Sequence, residues 1–145
     1  MRPRLLATIL VGYVAFILDL ALVHFQATNA PSNFVPFRSM IRDWSTGGWP
    51  FIINFVGNVV AFLPMGLLPP LIRTRPMKLW QVLVFSFGLS LFIECSQFLS
   101  GRRVPDVDDL ILNTLGGYLG FVLSQRIKRS SRAANTAGDS ETHST

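Results

Sequence analysis

The sequence predicts an all-α protein, an integral membrane bundle of four transmembrane helices with both the N- and the C-terminus cytoplasmic. Composition is the first of three observations behind this. Hydrophobic residues make up 50% of the chain and charged residues 14%, whereas a water-soluble domain carries nearer a quarter charged. Second, the apolar residues gather in four runs long enough to cross a bilayer. Third, lysine and arginine sit at the ends of those runs, and unevenly. At 145 residues the chain makes one domain.

The first run, LLATILVGYVAFILDLALVHF, covers Leu5 to Phe25. Its length matches the roughly 20 residues needed to cross a hydrocarbon core of about 30 Å. Signal peptides have shorter apolar regions, and Pro31 after Ala30 obstructs a cleavage site, so an uncleaved span is expected. An aqueous segment, Gln26 to Trp49, follows. In it Trp44 and Trp49 are placed as interfacial anchors, and Phe34, Val35 and Phe37 are expected to dip to the membrane surface or to lid a pocket.

The second run extends from about Pro50 to Ile72, where Pro64, Pro69 and Pro70 are expected to kink or end the helix. The third covers about Leu79 to Leu99, and the fourth about Val107 to Ile127. In the fourth, Gly116 and Gly120 form a small-xxx-small step suited to close helix packing. The membrane domain is therefore 1–127. Residues 128–145 have almost nothing apolar to bury and are expected to form a disordered polar cytoplasmic tail.

Orientation follows from the basic residues. One side receives Arg2, Arg4, Arg73, Arg75, Lys78, Arg126, Lys128, Arg129 and Arg132; the other receives Arg38, Arg42, Arg102 and Arg103. Nine against four puts the termini in the cytoplasm and the SGRRVPD turn outside. The same bias accounts for the net charge of +5. No basic stripe with interleaved aromatics is present, so nucleic acid is not an expected partner. Cys95 is the one cysteine, which excludes an intramolecular disulfide, and its place in an apolar run fits a small buried or lipid-facing side chain. His24 and His143 are far apart, with no CxxC motif and no His/Cys ligand set, so no cofactor and no metal are expected.

The polar residues inside the spans carry the functional argument. Asn54 and Asn58 are four apart near the outer end of the second span, and Glu94 and Gln97 are three apart near the outer end of the third. Asp106, Asp109 and Asn113 share a face of the first two turns of the fourth span, and Arg103 stands on the turn before it. All eight fall at one level. Charged groups inside a span cost roughly 2.5–3.5 kcal/mol on insertion scales and should face protein or a watery cavity. One polar pocket at the outer leaflet, lined by three helices, is the economical arrangement. A structural role competes for some of these groups. Asp106 after Pro105 suits a helix N-cap, and Asp108, off the shared face, suits a solvated first-turn charge. Asparagines in spans also act as interhelical glue. Glu94 caps nothing in its own helix, and a pocket-organising role is expected for it. Asp19 lies near the outer end of the first span with no face assigned.

Three blocks together resemble the VanZ-like family of small bacterial membrane proteins. These are NFVPF (Asn33 to Phe37), NFVGNVVAFLPMG (Asn54 to Gly66) and IECSQFLSGRRVPDVDDLILNTLGG (Ile93 to Gly117). The second resembles the family block through Asn54, Asn58, Phe62, Pro64 and Gly66. The third does so through Glu94, Gln97, Arg103, Asp106, Asp109, Asn113 and Gly116. Pro105 departs from the aromatic residue often found there. The resemblance implies a multi-span protein of the bacterial cytoplasmic (inner) membrane. The family's founding member is linked to low-level resistance to the glycopeptide teicoplanin, without an established biochemical mechanism, and many members occur outside resistance clusters.

Two function classes follow. The leading one is a non-enzymatic membrane protein whose outer-leaflet pocket binds a glycopeptide or a lipid-linked cell-wall precursor. There Arg103 would contact phosphate or carboxylate, Asn54, Asn58, Gln97 and Asn113 would supply amide contacts, and Glu94 would organise them. The alternative is a divalent-metal-dependent enzyme acting on a lipid or isoprenoid phosphate, with Glu94, Asp106 and Asp109 as oxygen ligands. No hydrolase or transferase motif accompanies those carboxylates. Besides the lipid bilayer, a homo-oligomer is an open expectation, since four short spans alone make a poor transporter.

Overall fold

The computed structural model describes residues 3–24, 33–101 and 105–142, with side chains up to Ser131 except that of His24. Its helices are α1 (Pro3–Asp19), which widens into a π turn at Leu20–His24, α2 (Arg38–Ser45), α3 (Trp49–Ile72), α4 (Leu79–Leu99) and α5 (Val107–Thr142). Among the described residues the one β-type pairing is an isolated parallel bridge between Asn33 and Asp106. The all-α expectation therefore holds.

Three helical stretches are long and apolar enough to cross a membrane: Pro3–Val23, Trp49–Ile72 and Leu79–Leu99. α5 is not among them, for a reason visible in its packing. Asp108, Asp109, Leu112, Asn113, Gly116, Gly117, Gly120 and Ser124 recur at helical spacing and are all buried. The polar and small residues that dilute the hydropathy of α5 form its inward stripe, and they face protein. α5 also runs on to Thr142, through the segment whose composition predicts disorder; extending a helix that has already formed costs little. Its last described buried side chain is Ser124.

α3 and α5 run side by side in the same direction, and glycines set their separation. A Cβ on Gly66 would strike the backbone of Gly117 and Phe121, one on Gly116 would overlap the Val59 carbonyl, and one on Gly120 would overlap that of Leu63. The small-xxx-small step thus brings backbone against backbone, as its spacing predicts. Gly117 also receives Ser86 of α4, which is fully buried.

Pro64, Pro69 and Pro70 do not end the second span where they stand. α3 continues through all three, and Arg73 N–H closes it on the Pro69 carbonyl at 3.2 Å. A proline removes one intrahelical hydrogen bond, but the helix survives where a close neighbour holds both flanks. Here α5 does so.

The apolar core is Ile17, Phe62, Met65 and Ile93, with Leu10, Val14, Leu18 and Leu89 packed around it. α1 is pinned to α3 by the Tyr13 hydroxyl, which donates to the Ala61 carbonyl at 3.0 Å. Outward faces stay apolar, with Val11, Phe16, Val56, Val84 and Phe92 exposed. α1 and α4 end, and α3 and α5 begin, at one end of the bundle. The first residue of α1, the 73–78 connection and the C-terminal half of α5 lie at the other.

Candidate functional site

At the end where α3 and α5 begin lies a cavity of about 270 Å³. α3 contributes Asn54 and Asn58, α4 contributes Glu94 and Gln97, and α5 contributes Asp109 and Asn113. Six of the eight residues picked from the sequence therefore share one space. α1 supplies a fourth wall through Ile17, Leu20 and Ala21, where the sequence pointed to three helices. That wall was not legible because its residues there are apolar and resemble any lipid-facing stretch. Asp19 is not among the lining residues. Arg103 lies outside the described residues.

Each amide in the cavity wall is turned by a specific partner. Asn58 Nδ2 donates to Asp109 Oδ1 at 2.7 Å, linking α3 to α5. Asn54 Nδ2 donates to Asp43 Oδ2 at 2.5 Å, linking α3 to α2. Gln97 Nε2 donates to the Ala21 carbonyl, in the π turn, at 2.8 Å. Asn113 Nδ2 donates to Ser90 Oγ at 2.8 Å. The carbonyl oxygens of Gln97 and Asn113 are buried and accept no hydrogen bond from the described residues. An unmade hydrogen bond at a buried acceptor costs about 1–3 kcal/mol.

Asp106 does not face this cavity. It belongs to a second, apolar recess of about 280 Å³ lined by Phe34, Leu91, Cys95, Phe98, Pro105 and Leu110, with Glu94 on the boundary between the two. Asp106 is the N-cap of α5: its Oδ1 accepts the Asp108 N–H at 2.9 Å and Asn33 Nδ2 at 2.8 Å. Glu94 in turn accepts the Asp106 N–H at 3.1 Å. It therefore steadies the start of a neighbouring helix although it caps nothing in its own.

Asp108 corrects the expectation of a solvated first-turn charge. It is 1% exposed, the most buried carboxylate of the described chain. Its oxygens accept the backbone N–H groups of Phe37 (2.5 Å), Ser39 (2.9 Å) and Met40 (3.3 Å), together with the Ser39 hydroxyl and Asn33 Nδ2. This is a carboxylate from α5 capping the N-terminus of α2, where unpaired N–H groups and the helix dipole favour negative charge. It also holds Phe37 at φ 66°, a left-handed backbone uncommon for an aromatic residue. Helical spacing on α5 alone cannot reveal that a loop about 70 residues upstream folds onto this face.

Asn33 completes the clasp. Its N–H donates to the Pro105 carbonyl and its carbonyl accepts the Val107 N–H, each at 3.0 Å. Asn33, Ser39, Asp43 and Ser90 are buried participants that sequence reasoning left without a role. For Asn33 a signal existed, since it opens the NFVPF block. For Asp43, which pairs with Arg42 at 3.2 Å, there was only its place in a short amphipathic helix. Trp44 and Trp49 are exposed at this end, and so are Phe34, Val35 and Phe37.

The three carboxylates considered as metal ligands are placed apart in function: Asp109 on Asn58, Asp106 on the start of α5, and Glu94 on the Asp106 N–H. Among the described residues no group of three His, Cys, Asp or Glu side chains could hold a metal ion.

Apolar helices around a half-open, mainly apolar cavity with six polar side chains in its wall define a small helical membrane protein with a side-chain-lined site at one end of its bundle. The chain belongs to the VanZ/LLP1 family, whose model matches residues 5–128. It is similar to Protein VanZ of Enterococcus faecium, at 35% identity over 91 residues, 63% of this chain. The chain spans about half the length of that curated relative (50%). No solved structure matches it.

Proposed function

We propose that this protein crosses the bacterial cytoplasmic membrane four times, with both termini inside and the polar cavity at the outer leaflet, and that the cavity binds an amphiphilic envelope molecule. The candidates are a glycopeptide antibiotic and a lipid-linked cell-wall precursor, giving the protein a VanZ-like, non-enzymatic role that extends to glycopeptide resistance where the first is bound. The observation that carries this proposal is the convergence of Asn54, Asn58, Glu94, Gln97, Asp109 and Asn113 on one cavity. Polar groups at membrane depth are expensive unless they serve a pathway or a ligand. The orientation draws support from Arg4, Arg73, Arg75, Lys78 and Arg126, which all stand toward the end opposite the cavity. α5 qualifies as the fourth span because its polar stripe is turned inward. Arg103, which lies between Gly101 and Pro105 in sequence, is assigned the anionic group of the ligand.

The test is expression in a glycopeptide-susceptible bacterium, with membrane abundance measured alongside. Glu94→Gln or Arg103→Ala should abolish the change in teicoplanin susceptibility at unchanged abundance. Full retention in both variants defeats the binding role of the cavity. Labelling of a cysteine introduced at Gly101 by an impermeant maleimide should succeed in intact cells; protection there reverses the topology.

A further inference from the structure

The second recess differs chemically from the polar cavity. Leu91, Glu94, Cys95 and Phe98 stand at i, i+3, i+4 and i+7, so one face of α4 forms its back wall, and the start of α5 forms its side. Two carboxylates border it, yet no polar surface of a described residue opens into it. Asp106 Oδ1 accepts the Asp108 N–H and Asn33 Nδ2, and Glu94 Oε2 accepts the Asp106 N–H. Water needs several polar partners to settle in such a place and finds none on these walls.

Phe34 completes the recess from the 33–37 loop. Its side chain is left uncovered, with the residue 72% exposed, while the backbone on both sides of it is tied down. Asn33 bonds to Pro105 and Val107, and the Val35 N–H donates to Asn33 Oδ1 at 3.1 Å. A large aromatic that is fixed yet mostly bare is a preformed wall, whose ordering cost is met before anything binds. Leu91, Cys95 and Phe98 beside it are exposed as well. They belong to α4, one of the helices long and apolar enough to cross a membrane. Leu91 stands eight residues before Leu99, the last of α4, which is about 12 Å along the axis. The recess thus reaches a depth that a bilayer fills with hydrocarbon.

We infer that this recess binds a single hydrocarbon chain of a membrane lipid, at a site that Glu94 separates from the polar cavity. The chain, not the headgroup, is what such a wall selects. Lipid tails are as apolar as the wall, so the gain is dispersion: a seated chain touches protein on several sides, where a chain on a smooth helix face touches it on one. The inference rests on α4 lying in a membrane and is independent of what the polar cavity binds.

Photolabelling of the full chain in dioleoylphosphatidylcholine vesicles tests this. The probe is a phosphatidylcholine with a diazirine midway along one acyl chain, and adducts are located by peptide fragmentation, counted on side chains other than carboxylates. Adducts at Phe34 and within 91–98 should exceed those on the smooth outward faces, around Phe16 and Val84, by about fivefold. A phosphatidylglycerol probe with the same chain should give the same ratio. Cys95→Trp fills the recess and Phe34→Ala removes its wall; both positions are exposed, so the bundle core is untouched. Each variant should bring labelling to within about twofold of the smooth faces. Even labelling of the wild type overturns the inference, and so does an enrichment that survives both variants. An enrichment that follows the headgroup also overturns it, because the contact is then polar. Oxidation that links two copies through Cys95 in these vesicles assigns the recess to a second copy of this chain and overturns it too.

Discussion

The two halves of the α3–α5 pair are held together by different physics. Toward the connection at 73–78, Gly66, Gly116 and Gly120 bring backbone onto backbone with no room for a single added carbon. Toward the cavity the same two helices communicate through side chains, Asn58 with Asp109, and both line open space. Close packing between spans draws on dispersion, which is non-directional and leaves no site. Polar linkage is directional, costly when incomplete, and can leave groups unsatisfied where a ligand fits. The glycine end gives the bundle its geometry, and the other end spends that geometry on holding a cavity open.

The largest effect expected is at the clasp that closes the cavity end. Asp108→Ala removes the charged acceptor of three backbone N–H groups and should destabilise the 33–45 segment by about 3 kcal/mol or more, at roughly 1.5–3 kcal/mol for each charge-assisted hydrogen bond. Hydrogen exchange should then rise across residues 33–45 while the amides of α3 and α5 near Gly66 and Gly117 stay protected. Loss of protection in both places would mean the two halves form one cooperative unit.

Gly66→Leu probes the other half. Overpacking costs typically about 1–3 kcal/mol, and contact with backbone rather than with a flexible side chain puts this position at the upper end. Its melting temperature in detergent should fall, with the 33–45 segment still protected below the transition. A smaller loss, about 1–2 kcal/mol, is expected for Asn58→Ala, which takes from the buried Asp109 one of its donors. That variant should change ligand retention more than it changes melting, and the reverse order would make Asn58 interhelical glue. Tyr13→Phe deletes a single neutral hydrogen bond to Ala61 and should cost about 1 kcal/mol. A value near zero would show that the apolar packing of α1 and the Gln97–Ala21 hydrogen bond hold it without this contact.

Much of this protein was legible before its structure. Run length and composition identify α1, α3 and α4, because a bilayer demands a fixed number of apolar residues whatever the neighbours are. Helical spacing sets Asn54 with Asn58, and Glu94 with Gln97, on common faces, because 3.6 residues per turn is a property of the backbone. The small-xxx-small step in α5 announced its close approach for the same local reason. Tertiary structure alone decided the rest. It buried Asp108, since whether an exposed-looking carboxylate meets water depends on which distant segment folds over it. It recruited α1 as the fourth cavity wall, and carried α3 through three prolines that no isolated helix would tolerate so well. It also buried the amide oxygens of Gln97 and Asn113 without a hydrogen-bond partner among the described residues. Periodicity along one chain assigns a side chain to a face of its own helix. What stands opposite that face, and whether it satisfies the group, is a relation between segments and exists only once they have packed.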